Sequence, residues 1–133
     1  MTVFVDSSAF VAFLIAEDAQ HETACAIWDR LEESKDRLVT TNYVVVETCS
    51  LLHRRSGMGI VRSLLADVVP VVAIEFVDAS LHASAVSAFV LSGRRGPSIV
   101  DCVSFAAMRK LGINAFFAFD PHFAEQGFAD VIG

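Results

Sequence analysis

Positive charge is scarce in this chain: ten Lys and Arg stand against sixteen Asp and Glu, giving a net charge of −6. Bulk charge of that sign argues against a generic nucleic-acid binder, because phosphate contacts need Lys and Arg to displace counterions. Long apolar runs are missing too. The longest stretch free of Asp, Glu, Lys and Arg, Ala79 to Gly93, still carries His82 and four serines. A membrane span needs about 20 mainly apolar residues, so none is expected. The opening Met1-Thr2-Val3-Phe4-Val5-Asp6 has no basic segment and an acid ends its apolar run, which excludes an ordinary secretory signal. Cysteine is rare: Cys25, Cys49 and Cys102 are odd in number and far apart, with no Cys-x-x-Cys or Cys/His spacing for zinc. They read as reduced core residues of a cytoplasmic protein. No repeat, low-complexity block or Pro/Gly/Ser linker divides residues 1–133, so a single domain is expected. What is plentiful is apolar: 54% of residues are hydrophobic and 20% charged, enough for a sizeable core and incompatible with disorder as the main state.

Hydrophobic periodicity organises the chain into alternating strands and helices. Thr2–Val5 is a short, apolar run rich in β-branched residues and reads as a buried strand, followed by a helix over Ser7–Ala16. Within Gln20–Ser34, Ala24, Ile27, Trp28 and Leu31 recur at i, i+3, i+4, i+7, the mark of an amphipathic helix. A strand over Arg37–Thr40 leads into a helix over Asn42–Arg55, capped by Thr41 or Asn42 and stopped near Gly57. A helix over Met58–Val68, a strand over Val71–Val77 and a helix over Leu81–Leu91 follow, the last capped by Asp78. Residues 92–97 form a loop, Ser98–Leu111 a helix and Ala115–Phe119 a strand; a short helical turn and a last strand end the chain. Nearly continuous apolar strands belong to parallel sheets covered by helices on both faces. The expected fold is therefore a three-layer α/β/α sandwich with a central parallel sheet, whose ligands gather beyond the carboxyl ends of the strands.

Four acids meet that description or sit where they need explaining. Asp6 follows the first strand directly, and Asp120 follows Ala115–Phe119; each could equally cap the helix or turn after it. Glu47 shares a helical stripe with Val44, Thr48 and Leu51, where a carboxylate is costly unless paired, hydrogen-bonded or bound to metal. Pairing with Arg54, or a helix rotated to put Glu47 at its edge, would also explain it. Ser98-Ile99-Val100-Asp101 has the form of a capping box, and Asp101 also stands in register with Phe105 and Met108, so it can cap and point inward together. Two carboxylates about 4 Å apart repel by roughly 4 kcal/mol at an effective dielectric of 20. A divalent cation would relieve that repulsion, and an all-carboxylate donor set suits Mg²⁺ or Mn²⁺ better than zinc. Such a centre at strand ends points to metal-dependent phosphoryl chemistry.

The sequence resembles the PIN-domain ribonucleases, and most of all the toxin subunits of VapBC toxin–antitoxin pairs. Val3-Phe4-Val5-Asp6-Ser7-Ser8 is similar to the family's opening strand with its Asp-Ser/Thr end, and His21 with Ala24 to a His-x-x-Ala helix. Tyr43-Val44-Val45-Val46-Glu47, Ser98-Ile99-Val100-Asp101-Cys102 and Phe119-Asp120-Pro121-His122-Phe123 resemble the three later segments that carry acids. The resemblance implies Asp6, Glu47, Asp101 and Asp120 as catalytic, metal-binding acids, with Ser7 ordering the first acid or a metal-bound water. It also implies RNA hydrolysis by metal-activated water to leave 5′-phosphate and 3′-hydroxyl ends, a homodimer, and capture by a small antitoxin protein. Ala118 departs from the Ser or Thr frequent two residues before the last acid. Arg94 and Arg95, in the loop leading to Asp101, are the preferred phosphate contacts, ahead of Arg54-Arg55 and Arg109-Lys110. His122 is expected to pack or cap locally rather than act as a base.

Two other readings share the fold class. A catalytically silent binding module is disfavoured by the presence of every acid. The reading as a phosphoacceptor receiver domain lacks support, because this sequence has no paired acids after its first strand and Lys35 and Lys110 are poorly placed for the lysine role.

Overall fold

In the computed structural model, which describes residues 1–133, five strands form one parallel sheet. They are β1 (Thr2–Val5), β2 (Arg37–Thr41), β3 (Ala73–Glu75), β4 (Ala115–Phe117) and β5 (Ala129–Asp130), in the order β3-β2-β1-β4-β5. Phe4 of β1 stands opposite Val39 on one side and Phe116 on the other. Val3, Phe4 and Val5 are wholly buried, which is why the first strand carries no polar alternation. The first connection carries α1 (Ser7–Leu14) and α2 (His21–Glu33), and the second α3 (Asn42–Ser56) and α4 (Met58–Ser63). The third carries α5 (Ala79–Ser92) and α6 (Ile99–Leu111), and the last α7 (His122–Glu125). Parallel crossovers are right-handed, so α1–α4 cover one face and α5–α7 the other, the expected three layers. The chain steps outward from β1 to β3, then returns to the opposite side of β1 at β4. That reversal opens a crevice past the carboxyl ends of β1 and β4. No helix is long and apolar enough to cross a membrane.

Several element bounds differ from expectation, each for a local reason. The strand expected over Val71–Val77 narrows to Ala73–Glu75, because Val69–Val71 winds into a 3₁₀ turn around Pro70, which has no N–H for a ladder. The helix expected over Met58–Val68 is α-helical to Ser63 and then widens into a π-helical turn, Leu64–Val68. The strand expected over Ala115–Phe119 ends at Phe117. Beyond it, the Phe119 N–H donates to Ser8 Oγ (3.0 Å) instead of to a neighbouring strand. Asp120 therefore lies past a short, side-chain-held segment rather than at the strand end.

Aromatic packing fixes the helices against the sheet. Phe13 stacks on Trp28 at 4.6 Å between α1 and α2. Phe123, the second residue of α7, is fully buried and packs against Phe105 edge-on at 4.9 Å, Phe116 at 5.2 Å and Phe4 at 6.2 Å. It ties the segment after β4 to the core. Phe123→Ala should cost about 3–5 kcal/mol of stability, as large-to-small changes of buried aromatics do, measured by urea unfolding. A loss below about 1 kcal/mol would mean that this anchor does not hold the segment.

Candidate active site

The β1–α1 junction builds the deepest acid. Asp6 caps α1 with extended backbone (φ −90°, ψ 162°), its Oδ2 accepting from Ser8 N (3.2 Å) and Ser8 Oγ (2.7 Å). Ser8 Oγ in turn accepts from Phe119 N, and Asp6 N donates to Phe117 O (3.0 Å), so the end of β1 and the segment after β4 are bound together. Asp6 is only 2% exposed, and its Oδ1 is buried without a hydrogen-bond partner. An orphaned carboxylate oxygen in that position is expensive unless something binds it.

The other acids come from three further elements. Thr41 caps α3 by accepting from Val44 N (3.2 Å), setting the helix so that Val44, Thr48 and Leu52 are buried. Glu47 and Leu51 are half-buried at the edge of that row, which corrects the expectation of Glu47 within the buried stripe. Arg54 is exposed and does not pair with it. Glu47 Oε1 instead accepts from Ser7 Oγ (2.5 Å). Ser7 thus orders Glu47 rather than Asp6, and Ser8 takes the part expected of Ser7. Both halves of the capping box form: Ser98 Oγ accepts from Asp101 N (3.1 Å) and Asp101 Oδ2 from Ser98 N (3.0 Å). Asp101 is 7% exposed, so it caps and faces inward together. Asp120 Oδ1 accepts from His122 N (2.8 Å) in a turn that starts α7.

One cleft of about 440 Å³ is lined by all four of these acids, with Ser7, Ser8, Asp18, Leu51 and Arg55 among its other residues. Each acid is held through one oxygen: Oδ2 of Asp6, Oε1 of Glu47, Oδ2 of Asp101 and Oδ1 of Asp120. The second oxygen of each takes no hydrogen bond from the protein. Atoms of Asp101, Asp120 and His122 that could ligate a metal lie within 4.8 Å of one another. His122 also pairs with Glu125 through Nδ1 (3.1 Å), the local contact expected of it, yet it stands closer to the acids than its sequence context indicates. Arg94 and Arg95 lie on an exposed turn and do not line the cleft; the cation that does is Arg55. Sequence spacing held that signal, since Glu47, Leu51 and Arg55 repeat every four residues along one helix face.

Burial, with some mutual repulsion, raises the affinity of Asp6 and Asp101 for protons. Burial pushes Asp6 up to about 7; hydrogen bonds from Ser8 oppose this, and the charges of Asp101 and Glu47 add to it. Asp101 rises to about 6, again chiefly by burial, opposed by Ser98 and reinforced by Asp120 and Glu47. Burial lowers the basicity of His122, but Glu125, Asp120 and Asp101 outweigh it and hold the ring above its ordinary value. Burial likewise raises Cys49 and Cys102, with the charge of Asp101 adding to the latter, which favours the neutral thiol in both, and neither lines the cleft. A hard divalent cation fits this donor set: carboxylate oxygens predominate, one is orphaned, and the repulsion needs positive charge to offset it.

The comparisons with known proteins agree with this geometry. A family model described as PIN domain matches residues 3–129. The chain is 40% identical over 131 residues to the 23S rRNA-specific endonuclease VapC20 of Mycobacterium tuberculosis, covering 97% of each protein. The crystal structure of that Mycobacterium tuberculosis VapC20, described as a Sarcin-Ricin loop cleaving toxin, superposes with a TM-score of 0.83 at 40% identity over 96% of both chains. A structure of FitAB bound to a DNA fragment shares the fold, with a TM-score of 0.71 at 13% identity, covering 100% of this chain and 96% of that one.

The raised acids set a pH dependence for the metal-free protein. Folded Asp6 and Asp101 hold protons that the unfolded chain releases near pH 4, so their contribution to stability is full below pH 4. It is lost as pH rises through about 6 for Asp101 and about 7 for Asp6. In Asp6→Asn the larger part of that loss disappears, so the variant should be more stable than the parent by on the order of 2–4 kcal/mol at pH 8 and nearly equal at pH 4. Thermal or urea unfolding in chelator across that range measures it. Parallel pH curves for parent and variant would show that Asp6 carries no such strain.

Proposed function

The chain belongs to the PIN domain family, and from that membership we propose that it is a divalent-metal-dependent endoribonuclease, the toxin of a type II toxin–antitoxin pair. One observation carries the reading: four carboxylates from separate elements line one cleft, each held through one oxygen with its other oxygen free of protein partners. Asp6, Glu47, Asp101 and Asp120 are the proposed metal ligands, and Mg²⁺ or Mn²⁺ the proposed ion. A cation bound there would offset the charge of a phosphodiester and activate water at neutral pH. The protein's own part is to fix the acids: Ser8 holds Asp6, Ser7 holds Glu47, the Ser98 cap holds Asp101 and the His122 amide holds Asp120. In the hydrolysis, a water oxygen joins phosphorus and the bond from phosphorus to O3′ breaks. The water proton passes to the leaving oxygen, giving 5′-phosphate and 3′-hydroxyl ends.

The relative's activity supports 23S rRNA, at its sarcin–ricin loop, as the substrate. The acid-lined cleft also suits the basic segment of a small antitoxin, whose cations would occupy the same charge. Three free cysteines agree with a cytoplasmic setting. A homodimer is supported by α5, which has no Asp, Glu, Lys or Arg and exposes Phe89, Val90 and Leu91 at 36%, 71% and 87%. Two copies of a chain at −6 associate most cheaply through an uncharged face.

Incubation with 23S rRNA should give discrete cuts with Mn²⁺ or Mg²⁺, none with chelator, and a loss of roughly 10²-fold or more in Asp101→Asn. Cleavage that persists in chelator, or full activity of that variant, would end the metal-nuclease reading. For the oligomer, sedimentation should show a dimer that Leu91→Glu converts to monomer; an unchanged sedimentation coefficient would clear α5 of the role.

A further inference from the structure

The cleft has one basic residue, set in the last turn of α3. Arg55 lines it together with Asp18, and Arg55 Nη1 lies 3.6 Å from Asp18 Oδ2. Glu47, Leu51 and Arg55 succeed one another at every fourth residue of α3, all three on the cleft wall. By the helical rise, the backbone at Arg55 lies about 12 Å along α3 from that at Glu47. A polyanion whose scissile phosphate sits at the acids would run past Leu51 and reach this end with its next phosphates. Without Arg55 it would meet Asp18 there.

We propose that Arg55 binds an RNA phosphate flanking the scissile one, and that Asp18 holds the guanidinium in place until RNA displaces it; the proposal rests on the ribonuclease reading above. The chemistry of the pair supports the exchange. At 3.6 Å the contact is a loose ion pair, and the Arg55 side chain is 48% exposed, a setting in which such pairs contribute little. Phosphate offers the guanidinium a planar, two-oxygen match that is stronger. Asp18 stays where it is when released, because its Oδ1 already accepts from Gln20 N (2.8 Å) in the turn before α2. Asp18 thus keeps Arg55 oriented in the free protein and competes weakly with the substrate. The arrangement also accounts for how a chain at −6 would engage RNA: Asp6, Glu47, Asp101 and Asp120 are the proposed cation ligands, Asp18 is offset by Arg55, and that arginine extends the grip along the backbone.

The test is binding and cleavage of a labelled 23S rRNA fragment containing the sarcin–ricin loop, with binding measured in an Asp101→Asn background to prevent turnover. Arg55→Ala should weaken binding and raise KM roughly tenfold while kcat changes little. It should also flatten the dependence of log affinity on log salt by roughly 0.7–0.9, the loss of one phosphate contact. Asp18→Asn should act in the opposite direction, tightening binding. Were the pair only a structural clip, both variants would lower the melting temperature and impair binding alike, and the proposal would fall. Wild-type KM and salt slope in Arg55→Ala would overturn it as well. RNA that is bound in an Arg55-dependent way but never cut would leave this site standing and remove the nuclease reading instead. A parent chain that neither binds nor cuts RNA would remove both.

Discussion

Repulsion among buried carboxylates is the constraint that this architecture answers. Asp6 and Asp101 are nearly inaccessible, at 2% and 7% exposure, and each feels the charges of further acids in the same cleft. Left to themselves, such groups would separate or protonate. Here each is tied by one oxygen to a serine or a backbone amide, so the group cannot swing away. The cost of burial above all, with the remaining repulsion, stays in the folded protein as raised proton affinity of Asp6 and Asp101. A site that holds protons tightly for electrostatic reasons suits small, hard cations for the same reasons, and metal binding there would release those protons.

The ties are part of the fold's own bookkeeping of hydrogen bonds. Asp6 caps α1 while belonging to the cleft, and Asp101 completes the capping box of α6 in the same way. A helix start needs an acceptor for its exposed N–H groups, so the functional acid serves a structural need with one oxygen and leaves the other free. Ser8 goes further: its hydroxyl donates to Asp6 and accepts from Phe119, binding two strand ends that are 111 residues apart in sequence. Phe123, packed under the same segment, holds Asp120 from below.

Much of this was legible in the sequence, for reasons that differ by element. The run from Val3 to Val5 announces a buried parallel strand because nothing polar interrupts it, and Ser98 with Asp101 announces a helix start because the cap chemistry is local. The placement of all four acids along one cleft also agrees with the order of their motifs. What could not be read is set by contacts distant in sequence. Glu47 lies at the edge of its row rather than within it because Thr41 sets the rotation of α3 and Ser7, 40 residues earlier, supplies its hydrogen bond. The exchange of roles between Ser7 and Ser8 is of the same kind. Either hydroxyl could reach an acid; only the approach of Phe119 decides that Ser8 faces Asp6. Arg94 and Arg95 lie outside the cleft lining for a related reason. Proximity in sequence to Asp101 placed them near the site, but their turn projects into solvent, whereas Arg55 reaches the cleft through helical periodicity from Glu47.

The net charge that first argued against nucleic acid therefore measures the wrong quantity. What an RNA strand meets is the local field, and the acids that dominate the total charge are concentrated where cations would bind and reverse its sign. An overall charge of −6 spread evenly would repel phosphate everywhere. With four of the sixteen acids gathered in one cleft, that part of the charge would attract divalent ions at one point, and the proposed path beyond it has a single guanidinium. Weak attraction elsewhere has a consequence for selectivity: with little sequence-independent binding from its surface, the chain would hold RNA only where the substrate's shape delivers a phosphate to the metal site and its neighbour to Arg55 together.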